Sequence, residues 1–303
     1  MGTHAYLILA HKNWNQLQKL IELLDDKRND IFIHIDKKSS FTEVDRAIIE
    51  KASLSSKVIF INRIPVIWGD FSVVEAEMQL LKAAIKGNYQ YYHLLSGMDL
   101  PLRTQDEIHA FFENCNGKNF IHYCDEEWTR KTSMRVQFYW MLQKMCGVKR
   151  EKFWLFKLQR VLVELQKMVG INRCKDYNPK TGSQWWSITD ELARCLCENK
   201  EIIPRWFSWT FCADEWVVQS LASQFGYEDS YYSNIPVDTK ESTMRLIDWK
   251  RGSPYVFRLP DYDELINTEC LFARKFDDQV DKEIILKIYE HVKKDTRNSV
   301  VGY

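Results

Sequence analysis

Short apolar runs alternate with amphipathic stretches through the first hundred residues. The runs at 6–10, 31–35, 58–61 and 91–95 are brief, and three of them are rich in β-branched or aromatic side chains, so each predicts a strand. Between them, 14–24, 41–51 and 72–85 repeat apolar positions at spacings of three and four and predict helices. Strand–helix units of this length imply a mostly parallel sheet covered by helices on both faces. Ligands of such sheets bind outside the carboxyl ends of the strands. That rule singles out Asp36-Lys37-Lys38-Ser39 and Ser96-Gly97-Met98-Asp99-Leu100-Pro101.

After Pro101 the texture changes. Helices are predicted at 105–114, 191–199, 214–225 and 281–294, and strands at 119–123 and 184–188, with an irregular polar stretch at 125–131. A long basic and apolar helix is predicted over 149–169. It could lie on an anionic membrane surface, or be a buried helix whose lysines reach back to water. No repeat, low-complexity segment or linker interrupts the chain. A single domain over 1–303 is expected.

Composition narrows the function. The 42 basic and 42 acidic side chains cancel, which argues against a nucleic-acid partner, since such domains carry a basic excess. Aromatics are abundant, with 11 Trp, 14 Tyr and 16 Phe; they suit sugar faces but serve equally as core material. The eight cysteines form no pair of pairs at metal-binding spacing, so reduced, mostly buried thiols are expected and a structural metal is not. The first apolar run is too short to span a membrane and lacks a basic flank and cleavage site. A cytoplasmic protein is expected, with peripheral contact to the inner face of the membrane as an option. Ala10-His11-Lys12-Asn13 stands where a dinucleotide fold would carry its glycines, which disfavours a nicotinamide enzyme. Walker, His-Glu-x-x-His and Gly-x-Ser-x-Gly motifs are missing as well. The one Asp-x-Asp, Asp261-Tyr262-Asp263, sits at a helix start and reads as a cap.

One segment carries a specific likeness. Leu95-Ser96-Gly97-Met98-Asp99-Leu100-Pro101-Leu102-Arg103-Thr104 resembles the signature of glycosyltransferase family 14, which holds core-2 and I-branching β-1,6-N-acetylglucosaminyltransferases and peptide O-xylosyltransferases. Four further segments are similar to that family in the same order: His34-Ile35-Asp36-Lys37-Lys38-Ser39, Gly182-Ser183-Gln184-Trp185-Trp186, Ala213-Asp214-Glu215, and Leu271-Phe272-Ala273-Arg274-Lys275-Phe276-Asp277. The family's tail, anchor and stem find no counterpart, which suggests a bacterial-type relative.

The resemblance implies a GT-A-like α/β domain, with a nucleotide-binding half at 1–100 and an acceptor-side, catalytic half at 101–303, and an inverting transfer from a UDP-sugar to a hydroxyl of a glycan or lipid-linked glycan. UDP-N-acetylglucosamine is the first expected donor and UDP-xylose the second. No divalent metal or other cofactor is expected. A relative that binds nucleotide-sugar or glycan without turnover is the alternative of another class. Carried over by motif, Glu215 would be the general base; read alone, Asp214-Glu215 is an acidic first helical turn that stabilises the dipole. Lys275 would take the diphosphate together with Arg258, with Arg245 as competitor. His11, Asp36, Trp68, Asp99 and Ser183 are the candidates for nucleoside and donor contacts, although Asp36 could equally be a turn residue, Asp99 could instead organise its turn, and Trp68 could be a core residue before a helix. Glu126, Trp128, Arg130, Trp186 and Trp209 are the candidates on the acceptor side, where each could equally be surface or core filling.

Overall fold

The computed structural model describes residues 2–115, 117–147, 152–233 and 238–301. Five strands form the main sheet: β1 (His4–Ala10), β2 (Asn29–Ile35), β3 (Lys57–Phe60), β4 (Tyr91–Ser96) and β6 (Ser187–Thr189), in the order β3-β2-β1-β4-β6. The first four run parallel and β6 pairs antiparallel with β4. Helices α1 (Trp14–Leu24), α2 (Glu43–Lys51) and α3 (Ser72–Ala84) connect them, as the α/β reading expects.

The central strands are apolar throughout because both faces are covered. Tyr6 and Ile8 of β1 pack on one side with Leu17, Leu20 and Ile21 of α1. Ala5 and Leu7, the alternate positions, pack on the other with Val74, Leu80 and Leu81 of α3. A second sheet joins β5 (Asp99–Pro101), β7 (Arg245–Ile247) and β8 (Phe272–Arg274) in the order β5-β8-β7. Strands from the second half of the chain thus complete both sheets, and β5 leaves the main sheet directly after β4.

Several boundaries follow from local chemistry. Thr42 and Asp45 form a capping box at the start of α2, and Thr104 and Glu107 another at the start of α4 (Gln105–Asn114). The polar stretch expected to be irregular is instead a helix, α5 (Glu126–Thr132). Asp125 accepts from the Trp128 N–H, acidic residues fill the first turn, and Arg130 and Lys131 stand in the last. Capping and the dipole hold it without an apolar face, which is why periodicity does not reveal it. The strand expected at 119–123 reduces to two bridges, Asn119 with Tyr231 and Phe120 with Ser187.

The long helix runs Phe153–Met168; positions 149–151 lie outside the described residues. The helix expected at 214–225 splits into a 3-10 turn, Ala213–Glu215, and a helix, Val217–Gln224. Three of the eight thiols are buried and five half-buried, all unbridged. Among the described residues no helix is long and apolar enough to cross a membrane.

Candidate active site

The 3-10 turn carries Glu215, and three neighbours fix its backbone. The Gly182 N–H and the Thr181 hydroxyl both donate to the Glu215 carbonyl, at 2.9 and 3.1 Å. Cys212, which leads into the turn, has φ 53° and donates its N–H to the Gly69 carbonyl at 2.9 Å. A non-glycine residue in that region costs energy and persists only where its surroundings impose it. Gly182 explains the glycine of the Gly-Ser-aromatic segment: a Cβ there would fall 1.8 Å from the His122 carbonyl oxygen. Gly182→Ala is expected to lower stability by about 1–3 kcal/mol through forced backbone displacement, read as a lower thermal midpoint with activity falling in parallel.

Arg135, from a short turn of helix after α5, donates to Glu215 Oε2 at 2.7 Å. Burial raises the Glu215 carboxyl above its ordinary value, while the Arg135 charge and hydrogen bond oppose the rise. If Glu215 must be ionised to act, activity appears as pH rises through its pKa. Removing the opposing charge in Arg135→Gln lifts that pKa further, so the acidic limb of the pH–rate profile should move to higher pH. In Arg135→Lys it should stay near wild type. An unmoved limb in Arg135→Gln would rule Arg135 out as the group that tunes Glu215.

Asp214, the preceding residue of the turn, is half-buried, with its Oδ1 shut off from solvent. Its carboxyl is pushed up by burial and then by the neighbouring charge of Glu215. Glu77 of α3 is raised by burial and then by Asp214, and its Oε1 accepts from Gln184 Nε2 at 2.6 Å. Each of the two carboxyl groups thus disfavours ionisation of the other.

Near Glu215, which is not itself in its lining, is an open groove of about 770 Å³ lined among others by Cys124, Glu126, Arg130, Tyr177 and Lys180. Cys124 connects the two: burial, and after it the charge of Glu215, push its thiol up to about 11. Of the acceptor-side candidates, Glu126 and Arg130 line this groove. Trp128 is exposed on α5, and the exposed Trp209 accepts the Trp140 N–H at its carbonyl. Trp186 must be withdrawn: it is 2% exposed within the core, where no sugar can reach it.

At the carboxyl ends of β1 and β8 the charges turn positive. The Lys275 ammonium is lowered first by burial and then by the like charges of Arg274 and Lys12. His11 is lowered by burial, Lys12 and Lys275, with Asp36 and Asp277 opposing, so these groups share one neighbourhood. Asp277 anchors the corner, accepting from Lys12 Nζ at 2.7 Å and Asn13 Nδ2 at 2.8 Å. Lys12 is absent from the sequence-derived set. Its signal was available: it directly follows β1, where this fold class places phosphate-binding groups.

Arg258 is exposed, next to Phe257, whose N–H donates to the Lys275 carbonyl at 2.9 Å. Its own N–H is capped by Asp261 Oδ2, so the Asp-x-Asp segment acts as a cap. Arg245 is corrected. It is 1% exposed, and its guanidinium donates to the carbonyls of Thr243 and Trp186 and to the Ser187 hydroxyl. A side chain committed to the core in this way cannot meet a diphosphate.

Asp99 is corrected too. It is 2% exposed and accepts from the Ser96 N–H and hydroxyl at 2.9 and 2.7 Å. Arg274 lies 3.7 Å away, with its guanidinium 3.9 Å above the Trp185 ring, and the Asp99 charge also reaches Arg245 and Lys275. Asp99 thus organises the β4–β5 turn and steadies Arg274; burial keeps it from donor-sugar hydroxyls. Asp36 accepts from the N–H groups of Lys38 and Val66, and Arg63 donates to the Asp36 and Ser39 carbonyls, which ties this strand end to the 64–67 segment. Trp68 is half-exposed and meets Phe211 edge to face, beside the turn that carries Glu215. Ser183 donates its N–H to His122 Nδ1 and accepts from Gln219 at its carbonyl. Among the described residues no cluster of three His, Cys, Asp or Glu side chains could hold a metal ion.

A carboxylate near an open groove, with a cluster of cationic side chains at the strand ends, suits transfer of a group from a phosphate-bearing donor. The relatives place that class. The family model described as "Branch: Core-2/I-Branching enzyme" matches residues 4–264, and the chain belongs to that family. It is a glycosyltransferase of family 14 type.

Human β-1,3-galactosyl-O-glycosyl-glycoprotein β-1,6-N-acetylglucosaminyltransferase is 23% identical over 95% of this chain and 69% of its own. Rat xylosyltransferase 2 is also 23% identical, over 93% of this chain but 32% of its own. The solved structure of mouse xyloside xylosyltransferase 1 is 13% identical, with a TM-score of 0.38 over 89% of this chain and 96% of that one; we draw nothing from a likeness that loose.

Proposed function

We propose that the chain transfers a sugar from a UDP-sugar to a hydroxyl of an acceptor glycan, with inversion and without a metal. N-acetylglucosamine is the first donor sugar and xylose the second, the order that the names of its relatives support. The observation that carries the reading is Glu215, a carboxylate held by Arg135 near a groove wide enough for a sugar.

The acceptor hydroxyl gives its proton to Glu215 as its oxygen bonds to the anomeric carbon. The bond from that carbon to the diphosphate oxygen breaks, and UDP departs from the opposite face with both electrons. A positioned carboxylate base supplies roughly a hundred- to ten-thousandfold in rate. The growing charge on UDP would meet Lys275 and Lys12, with Arg258 at the entrance. Charge already in place there lowers the barrier without reorganisation. Asp99 stands where many nucleotide-sugar enzymes carry a metal-binding acid, and its engagement by Ser96 and Arg274 supports the metal-free reading. Glu126 and Arg130 would face the acceptor.

The test is UDP release from a panel of UDP-sugars in EDTA, with crude glycan acceptors added in a second series. Turnover of one donor in chelator is expected. Activity lost in EDTA and restored by manganese would refute metal independence, and UDP binding with no turnover of any donor would favour the non-catalytic alternative.

A further inference from the structure

The helix Phe153–Met168 carries two apolar stripes, and the fold uses one. Phe156, Gln159, Val163 and Gln166 face inward, where the glutamine side chains bind the backbone of Tyr139 and Leu142. On the opposite face Trp154, Leu158, Val161, Leu165 and Met168 are open to solvent, Trp154 at 78% and Met168 at 82%. Their spacings are four, three, four and three residues. At about 100° per residue this sets all five within about 40° of one line. A seam repeating every seven residues is the pattern by which one helix receives another.

Charge selects the partner. Lys157 and Glu164 are seven residues apart, so they flank the seam at the same heptad position. On the other flank stand Leu155 and Leu162. In an antiparallel pair related by a two-fold axis through Val161, Trp154 of each copy lies level with Met168 of the other, and Lys157 and Leu158 fall one residue, about 1.5 Å, from level with Glu164 and Leu165. A parallel pair would set Lys157 against Leu162 instead.

We propose that this face binds a second copy of the same chain, helix to helix, antiparallel and two-fold symmetric. Such an interface is self-complementary, the requirement for a closed dimer. A single helix pair is at the small end of stable interfaces, so the dimer should form in the micromolar range.

Sedimentation velocity of the full chain between about 1 and 100 µM tests it. A concentration-dependent monomer–dimer equilibrium is expected. Leu158→Glu/Val161→Glu should be monomeric throughout, with unchanged far-UV circular dichroism and thermal midpoint, since both side chains are exposed. Lys157→Glu should raise the dissociation constant about tenfold by replacing two attractions with two repulsions. Lys157→Glu/Glu164→Lys should bring it back. A wild-type monomer at the top concentration overturns the proposal, as does a dimer that survives Leu158→Glu/Val161→Glu, or a failed charge exchange. A monomer that pelleted with phosphatidylserine vesicles, and lost this in Leu158→Glu/Val161→Glu, would hand the face to a membrane instead.

Discussion

Glu215→Gln is expected to lower transfer by roughly a hundred- to ten-thousandfold, the range a general base supplies, while UDP binding stays near wild type. The amide keeps the size of the side chain and can still accept from Arg135, so the turn between Cys212 and Trp216 should hold. As the proposed base, Glu215 would contact the acceptor rather than the nucleotide, so the loss should fall on kcat and spare the donor's KM. Measuring UDP release alongside calorimetric UDP binding separates the two. Full activity in the glutamine variant would remove Glu215 from the mechanism. Loss of both activity and UDP binding would point to a damaged fold, and the thermal midpoint would then decide.

Lys275→Ala carries the second large effect. Losing one preorganised charge partner of the departing diphosphate should raise the barrier by about 3–4 kcal/mol, or roughly a hundred- to a thousandfold in kcat. Lys275→Arg should recover part of it, because the charge remains even though the geometry changes. Here UDP binding should weaken as well, the reverse of the pattern at Glu215. The sign of the pH effect follows from the cause. Burial and the charges of Arg274 and Lys12 lower the Lys275 pKa, so its charge is lost earlier than usual as pH rises. UDP affinity should therefore decline on the alkaline side, and that decline should vanish in Lys275→Ala. Unchanged kcat and UDP affinity in the alanine variant would move the diphosphate site elsewhere, with Lys12 the next residue to test.

The elements were legible wherever a single face or a cap decides them. The β1 to β4 units and α1 follow from periodicity alone, because apolar runs that alternate with amphipathic stretches have few other ways to bury themselves. The same holds for α4, whose capping box is written in Thr104 and Glu107. Motif similarity reached further than periodicity. It picked Glu215 and Lys275 out of segments whose local chemistry says only acidic turn and basic turn.

Burial and pairing across distant segments were beyond a linear reading. Arg245 and Arg258 look alike as basic residues near a strand, yet one ends at the sheet interface giving its hydrogen bonds to carbonyls and the other ends in solvent. Asp99 and Asp36 look alike as acids at strand ends, and both are largely occupied by the turns they hold. Trp186 and Trp128 differ in the same way, core against surface. The partnership of Arg135 with Glu215, 80 positions away, and that of Lys12 with Asp277, 265 away, could be assigned only once the chain had folded. The physical reason is common to all of them. Local pattern is set by neighbours within a few residues, whereas the desolvation and charge that make a side chain reactive come from elements that packing alone brings together.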